Sequence, residues 1–174
     1  MTDFIKSCVE FVGSSISCAE NLASVHARCF EVSWSTKDFH QLLTLPSVFG
    51  FMAIVKSKDS ANYTDCSQSE TRAFKLGYAG FVLCLVGGEE CEILTICVLP
   101  EWRRNGLAIN LIKNVITRAR KFDVKKVLLE VAEDNEVAQY FYVDQGFEAF
   151  GRRNHYYQQK KRRVDAIQYH KIII

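Results

Sequence analysis

Val98-Leu99-Pro100-Glu101-Trp102-Arg103-Arg104-Asn105-Gly106-Leu107-Ala108 is the stretch on which the reading of this chain turns. It follows an apolar run, Cys91 to Val98, that reads as a strand and is closed by Pro100. It leads into Leu107, Leu111, Val115, Ala119 and Phe122, whose spacing predicts an amphipathic helix with these residues on its buried face. A strand therefore enters a helix through a turn carrying two Arg, an Asn and a Gly. Gly106 removes a Cβ where a ligand would approach the backbone. The first N–H groups of a helix lack intrahelical acceptors and favour anions. The turn has the composition of a pyrophosphate cradle, although an ordinary strand–helix turn with exposed Arg would look the same. There is no GxxxxGK[ST], so it is not a P-loop, and no GxGxxG, which disfavours a Rossmann dinucleotide turn.

Outward from this turn the pattern reads β–α–α–β–β–β–α–β–α–β–β. Upstream, Phe4–Val12 is an expected strand. Ser17 with Glu20 reads as a capping box for a helix placing Leu22, Val25, His26 and Cys29 on one face. A second helix is expected from Ser35 to before Pro46, and a strand over Phe49–Val55. Gly77–Val86 and Cys91–Val98 form a hairpin around Gly87-Gly88. Downstream come a strand over Val124–Val131, a helix over Asn135–Gln145 ended by Gly146, and strands over Phe147–Gly151 and Val164–Ile173. This predicts an α/β (α+β) fold: a mixed, mostly antiparallel sheet of about seven strands with helices on both faces.

At 174 residues the chain is expected to be one domain, 1–174, with the polar stretch 56–72 as a long loop. It is large enough to bury a core unaided by disulfides or metal. A hydrophobic content of 48% with 2 Pro and 9 Gly excludes a disordered or collagen-like chain. The longest apolar run, Tyr78–Val86, is too short to span a bilayer, and the first residues do not have the form of a signal peptide. Seven Cys without a CxxC pair are read as small buried hydrophobes in a reducing cytoplasm, and no metal site is expected. The net charge of +2 hides two basic zones. Residues 101–126 carry eight basic against two acidic residues and 151–174 seven against one, so the rest of the chain is acidic. One basic zone suits a polyanionic ligand, but direct nucleic-acid binding is not implied.

Arg103-Arg104-Asn105-Gly106-Leu107-Ala108 resembles the R/Q-x-x-G-x-G/A motif of the GNAT N-acetyltransferase superfamily, with Ala108 in place of the commoner second Gly. Leu129-Glu130-Val131, Asn135, and Tyr140 to Phe147 are similar to the LEV…N…LY…xGF pattern of the same superfamily. Phe30 to Ser35, Arg152 to Tyr157 and Asp165-Ala166-Ile167 resemble elements of its ribosomal-protein-alanine (RimI-type) branch, with Ser33 where Pro is usual and one extra residue in the Arg-Arg segment. The resemblance covers most of residues 18–174 and lapses over the polar loop.

The resemblance implies a seven-stranded sheet with four helices and acetyl-CoA as cosubstrate. Arg103, Arg104, Asn105, Gly106, Leu107, Ala108 and Ile109 would hold its pyrophosphate, Ile96, Cys97 and Val98 its pantetheine arm, and Asn135 a further contact. Glu130 takes the general-base place and Tyr142 the general-acid place. The chemistry suits these types: a carboxylate can take the proton of an amine that attacks a thioester, and a phenol can protonate the leaving thiolate. No covalent enzyme intermediate is then needed, so Cys97 is read as packing. Glu92 is the rival base, at fourteen residues before Gly106. Strict alternation would put it on one face with Leu94, Ile96 and Val98, opposite Cys97. Trp34, Tyr156 and Tyr157 are candidates to line the acceptor cleft, and Lys160 to Arg163 form a basic run in the last hairpin. The implied acceptor is the N-terminal α-amine of a small-subunit ribosomal protein beginning with Ala. The alternatives are a small-molecule or lysine amine, or a coenzyme-A-binding sensor without turnover.

Overall fold

The computed structural model describes residues 9–57, 75–158 and 162–174. The strands are β1 (Val9–Gly13), β2 (Val48–Ser57), β3 (Lys75–Gly87), β4 (Glu90–Val98), β5 (Lys126–Ala132), β6 (Glu148–Gln158) and β7 (Arg163–Ile172). The helices are α1 (Ala19–Ala27), α2 (Thr36–Leu43), α3 (Leu107–Arg120) and α4 (Glu136–Asp144). The element order is the one the sequence predicts. The strands form one sheet in the order β1-β2-β3-β4-β5-β7-β6, antiparallel except where β4 meets β5.

The four helices divide between the two faces. Leu111, Ile112, Val115 and Ala119 of α3 and Tyr142 of α4 pack on Val82, Cys84, Cys91 and Ile93. Leu22 and Val25 of α1 and Phe39 of α2 pack on Met52, Phe81, Leu83 and Cys97 from the other side. Phe39 is fully buried; removing such a side chain from water is worth about 1.5–3 kcal/mol. The capping box expected for the second helix forms, with Ser35 accepting from the Asp38 N–H and Asp38 accepting from Ser35.

Several expectations need correction. α1 starts without a capping box. A short 3-10 turn, Ile16–Cys18, precedes it, and the Ser17 hydroxyl pairs with Ser15 at 2.8 Å. Phe122 is not on the buried stripe: α3 stops first, and the ring lies 44% exposed beside Phe49 and under Arg118. β6 runs seven residues beyond Gly151. The added segment carries no apolar alternation because it is an exposed edge strand, held by its pairing with β7. β2 takes two residues of the expected polar loop; the rest of that loop, residues 4–8 of the first predicted strand, and Lys160 and Lys161 lie outside the described residues.

Candidate active site

The parallel pair sets the site. β4 and β5 are in register from Glu90↔Lys126 to Ile93↔Leu129 and no further. Beyond that, Thr95–Val98 pair with β3 alone and Glu130–Ala132 with β7 alone. The two strands splay, leaving the β5-facing backbone edge of β4, which includes Ile96, Cys97 and Val98, without a strand partner among the described residues. Gly80 on β3 lets the far side of β4 approach closely: a Cβ there would stand 2.5 Å from the Cys97 carbonyl oxygen.

The register of β4 slips where the splay begins. Leu83 opposes Thr95 and Cys84 opposes Ile93, so Leu94 is the extra residue of a bulge. The slip changes which residues share a face. Ile96 and Val98 turn to the α3 side with Cys91 and Ile93, while Leu94 and Cys97 turn to the α1 side. Glu92, opposite Leu85, also lies on the α1 side. Strict alternation misplaces Ile96, Val98 and Cys97 relative to Glu92, because an unpaired residue breaks the period of two.

The turn after β4 forms a cradle of backbone N–H groups. Arg104 and Gly106 adopt left-handed backbone, with φ of 62° and 75°. Among the described residues, no backbone acceptor meets the N–H groups of residues 104–109. Such alternation of conformations with free N–H groups at a helix start is an anion nest. A Cβ on Gly106 would meet nothing within 4 Å, so the space above it is open. Arg103 donates from Nε to the Val98 carbonyl at 3.1 Å, tying the cradle back to the end of β4. Asn105 spends its amide on the Trp102 and Arg103 carbonyls and thus holds the turn. Leu107 is buried in the core, leaving its backbone, like those of Ala108 and Ile109, as the part available to a ligand. The cradle fits a pyrophosphate through backbone groups and Arg charge.

On the α1 side of the splay lie two carboxylates. Glu130 is on β5, two residues past the position paired with Glu92. Its Oε1 accepts from Arg153 at 2.9 Å and from Gln168 at 3.1 Å, and its side chain is 12% exposed. Tyr157 donates to the Glu130 backbone carbonyl at 3.1 Å. Arg153 also lies over the Tyr156 ring, at 4.0 Å. Glu92 has no hydrogen-bond partner among the described residues; burial, then the neighbouring Glu130 charge, raises its proton affinity, against a smaller opposing effect of Arg153.

Tyr142 is buried at 6% exposure, between Phe147 and Tyr169, and no hydrogen bond to its hydroxyl is found among the described residues. Burial pushes its phenol well up, so it stays protonated at neutral pH. Asn135 caps α4, accepting from the Ala138 N–H at 3.1 Å. Trp34 is half-buried and stacks on His26 at 5.3 Å, while the His26 Nδ1 accepts from the Trp34 N–H. Arg162 of the basic run pairs with Asp134 at 2.8 Å, which makes it a clasp on the α4 loop.

Two contributors were not read from the sequence. Gln168 reaches Glu130 across β7, and Gly151 makes room for it: a Cβ there would sit 2.6 Å from the Gln168 side-chain oxygen. The Arg-Arg segment bulges between Arg153 and Tyr157, where β6 advances four residues against two on β7, with His155 at φ 55°. Asp165 braces it by accepting from the His155 N–H at 2.8 Å and from Arg152 at 2.7 Å, while Arg152 also reaches Glu133. A Gly opposite a Gln and an Asp opposite a one-residue insertion were the available signals.

The family model described as acetyltransferase (GNAT) family matches residues 19–147. The chain belongs to this family. It is an acetyltransferase, and acetyl-CoA is its acetyl donor. The [ribosomal protein bS18]-alanine N-acetyltransferase of Escherichia coli K12 is 33% identical over 89 residues, 51% of this chain and 60% of the relative, so the match spans less than two thirds of that protein. The crystal structure of the Escherichia coli ribosomal-protein-S18-alanine N-acetyltransferase superposes with a TM-score of 0.76 at 22% identity, covering 95% of this chain and 94% of that one. Arabidopsis thaliana NAA60 in complex with acetyl-CoA superposes with a TM-score of 0.78 at 19% identity, covering 95% and 98%. These structures establish the seven-stranded GNAT fold for this chain. Among the described residues, no helix is long and apolar enough to cross a membrane, and no group of three His, Cys, Asp or Glu could hold a metal ion.

Proposed function

We propose that this GNAT enzyme acetylates the N-terminal α-amine of a protein, a ribosomal protein beginning with Ala, by direct transfer within a ternary complex. The observation that carries the reading is the carboxylate pair Glu92 and Glu130 beside the open edge of the splay, with the N–H cradle beyond the end of β4. The names of the Escherichia coli relatives support the choice of acceptor. The reading implies a cytoplasmic enzyme, where acetyl-CoA and newly made ribosomal proteins meet.

Each residue then has a task. The N–H groups of 104–109, with Arg103 and Arg104, hold the pyrophosphate. The free edge at Ile96, Cys97 and Val98 holds the pantetheine arm, and Asn135 keeps its amide N–H groups for the coenzyme while its oxygen caps α4. An α-amine with a pKa of about 7.7–8.0 arrives mostly as ammonium and must lose a proton before it attacks the thioester. Glu130 takes that proton, with Gln168 and Arg153 fixing its orientation. Tyr142, protonated because it is buried, donates its O–H to the departing sulfur. The same burial makes complete proton transfer costly, so its chief contribution is hydrogen bonding to developing thiolate charge. Trp34, Tyr156 and Tyr157 line the acceptor side and exclude water.

The test is acetylation of a peptide panel by the purified protein. Free N-terminal Ala peptides are expected to be substrates, and their Nα-blocked forms carrying Lys are not. Turnover of polyamines or lysine side chains without α-amine turnover would replace this reading by the small-molecule or lysine alternative. Acetyl-CoA binding with no turnover on any amine would favour the sensor.

A further inference from the structure

We propose that Arg153 stands in for the acceptor: in the free enzyme its guanidinium fills the place on Glu130 that the acceptor's α-ammonium takes, and the acceptor binds by displacing it. This deepens the reading of Glu130 as the group that meets the amine, and rests on that reading. Arg153 Nη1 donates to Glu130 Oε1 at 2.9 Å, and the guanidinium carbon stands 4.0 Å from the centre of the Tyr156 ring. A carboxylate and an aromatic face around one cation are the parts of an ammonium-binding site. Here the cation belongs to the protein. Arg153 opens the β6 bulge and Tyr156 lies within it, so the brace at Asp165 also holds this arrangement.

The two adjacent arginines are held differently. Arg152 is clasped by two carboxylates, Glu133 and Asp165, each at 2.7 Å. Arg153 has Glu130 as its single ion-pair partner among the described residues, and its side chain is half exposed. Arg152 is thus fixed, whereas Arg153 can swing into solvent at little cost, because an ion pair with so exposed a partner is worth little. Glu130 is the opposite case. Its side chain is 12% exposed, and a carboxylate so enclosed is costly to leave without a compensating charge. Gln168 donates to the same oxygen from β7 at 3.1 Å and stays when Arg153 leaves, but it carries no charge. Glu92 on β4 adds a second acid to this side of the splay. The site therefore needs one cation at all times.

A guanidinium suits the waiting role. It stays protonated, the more so beside Glu130, and does not give up its proton at neutral pH. An α-ammonium on the same carboxylate can give up a proton and become the nucleophile. The exchange also selects for charge. A free amine replaces one cation by another, whereas a blocked N-terminus that pushed Arg153 aside would leave Glu130 without one.

The test is calorimetry of an Ala-starting peptide, and of its Nα-acetylated form, binding to the full chain saturated with coenzyme A, where no acetyl group can be transferred. In Arg153→Gln the free-amine peptide is expected to bind about two- to fivefold more tightly, the range of an exposed ion pair, while the acetylated peptide gains nothing. In a Glu130→Gln background, adding Arg153→Gln should leave the free-amine affinity unchanged, because the carboxylate they compete for is gone. Equal or weaker binding of the free-amine peptide to Arg153→Gln would overturn the proposal and leave the peptide acceptor standing. So would an equal gain for both peptides, which would make Arg153 a steric obstacle. No binding of the free-amine peptide to any of these proteins would overturn the acceptor reading and this proposal with it.

Discussion

The proposed coenzyme side of the cleft is assembled from backbone, whereas the proposed acceptor side is assembled from side chains held by other side chains. On the first side stand the splay past Ile93↔Leu129, the bulge at Leu94 and the N–H groups of 104–109, which meet no backbone acceptor among the described residues. On the second side, Glu130 is placed by Arg153 and Gln168, Arg153 lies on Tyr156, and the bulge beneath them is braced by Asp165. A backbone site tolerates changes of side chain but not of chain conformation or access. A side-chain site can be retuned one residue at a time, which is how one coenzyme-binding scaffold can serve different acceptors.

The largest effect should come from breaking the backbone side. Gly106→Asp puts a side chain and a negative charge into open space over the N–H cradle. The left-handed conformation at φ 75° costs a non-glycine residue about 1–2 kcal/mol, which a stable fold absorbs. Acetyl-CoA binding, read by calorimetry, is expected to disappear while the circular dichroism spectrum persists. Unchanged affinity would remove the cradle from the account.

This asymmetry also governs what could be read in the chain. Gly106, the two Arg and the switch from strand to helix are local signals, so the turn of the cradle and the element order were legible. The phase of β4 was not, because a bulge depends on its pairing with β3 and leaves no mark on the alternation of residues 91–98. β6 beyond Gly151 was missed because an exposed edge strand buries no alternate face. Gln168 was missed because its partner lies 38 residues away in the chain and depends on the β5–β7 register. Glu130 and Tyr142 were singled out by family pattern rather than by any physical periodicity, and their roles stay proposals.

A smaller effect is expected at the junction of the two sides. Tyr142→Phe keeps the ring that packs against Phe147 and Tyr169, so folding and acetyl-CoA affinity should change little. Turnover should fall in kcat by about ten- to a hundredfold, at or below the usual acid–base range of about 10²–10⁴. Wild-type kcat, measured where acetyl transfer limits the rate, would leave Tyr142 as packing.

The smallest effect separates the sides by pH. His26 is buried against Phe30 and Trp34 and its pKa is lowered to about 4 by desolvation, from an ordinary 6.5. A depressed folded-state pKa means that the neutral imidazole is favoured by folding. Its contribution to stability is thus present above pH 6.5 and is lost as the pH falls from there towards 4. Thermal midpoints should decline over that interval, with Trp34 fluorescence changing in parallel, and His26→Gln should flatten the dependence. An equal decline in the variant would assign the pH sensitivity to other groups.

The central claim is that Glu130, placed by its neighbours on the acceptor side, takes the proton of the amine. It is tested most directly by kcat and its pH profile in Glu130→Gln and Glu92→Gln enzymes acting on an Ala-starting peptide. Glu130→Gln should lower kcat by roughly 10²–10⁴ and abolish the acidic limb of the profile, while Glu92→Gln retains the limb and loses far less. The reverse ranking would place the base on β4, where Glu92 already has raised proton affinity and no hydrogen-bond partner among the described residues, and would contradict the account.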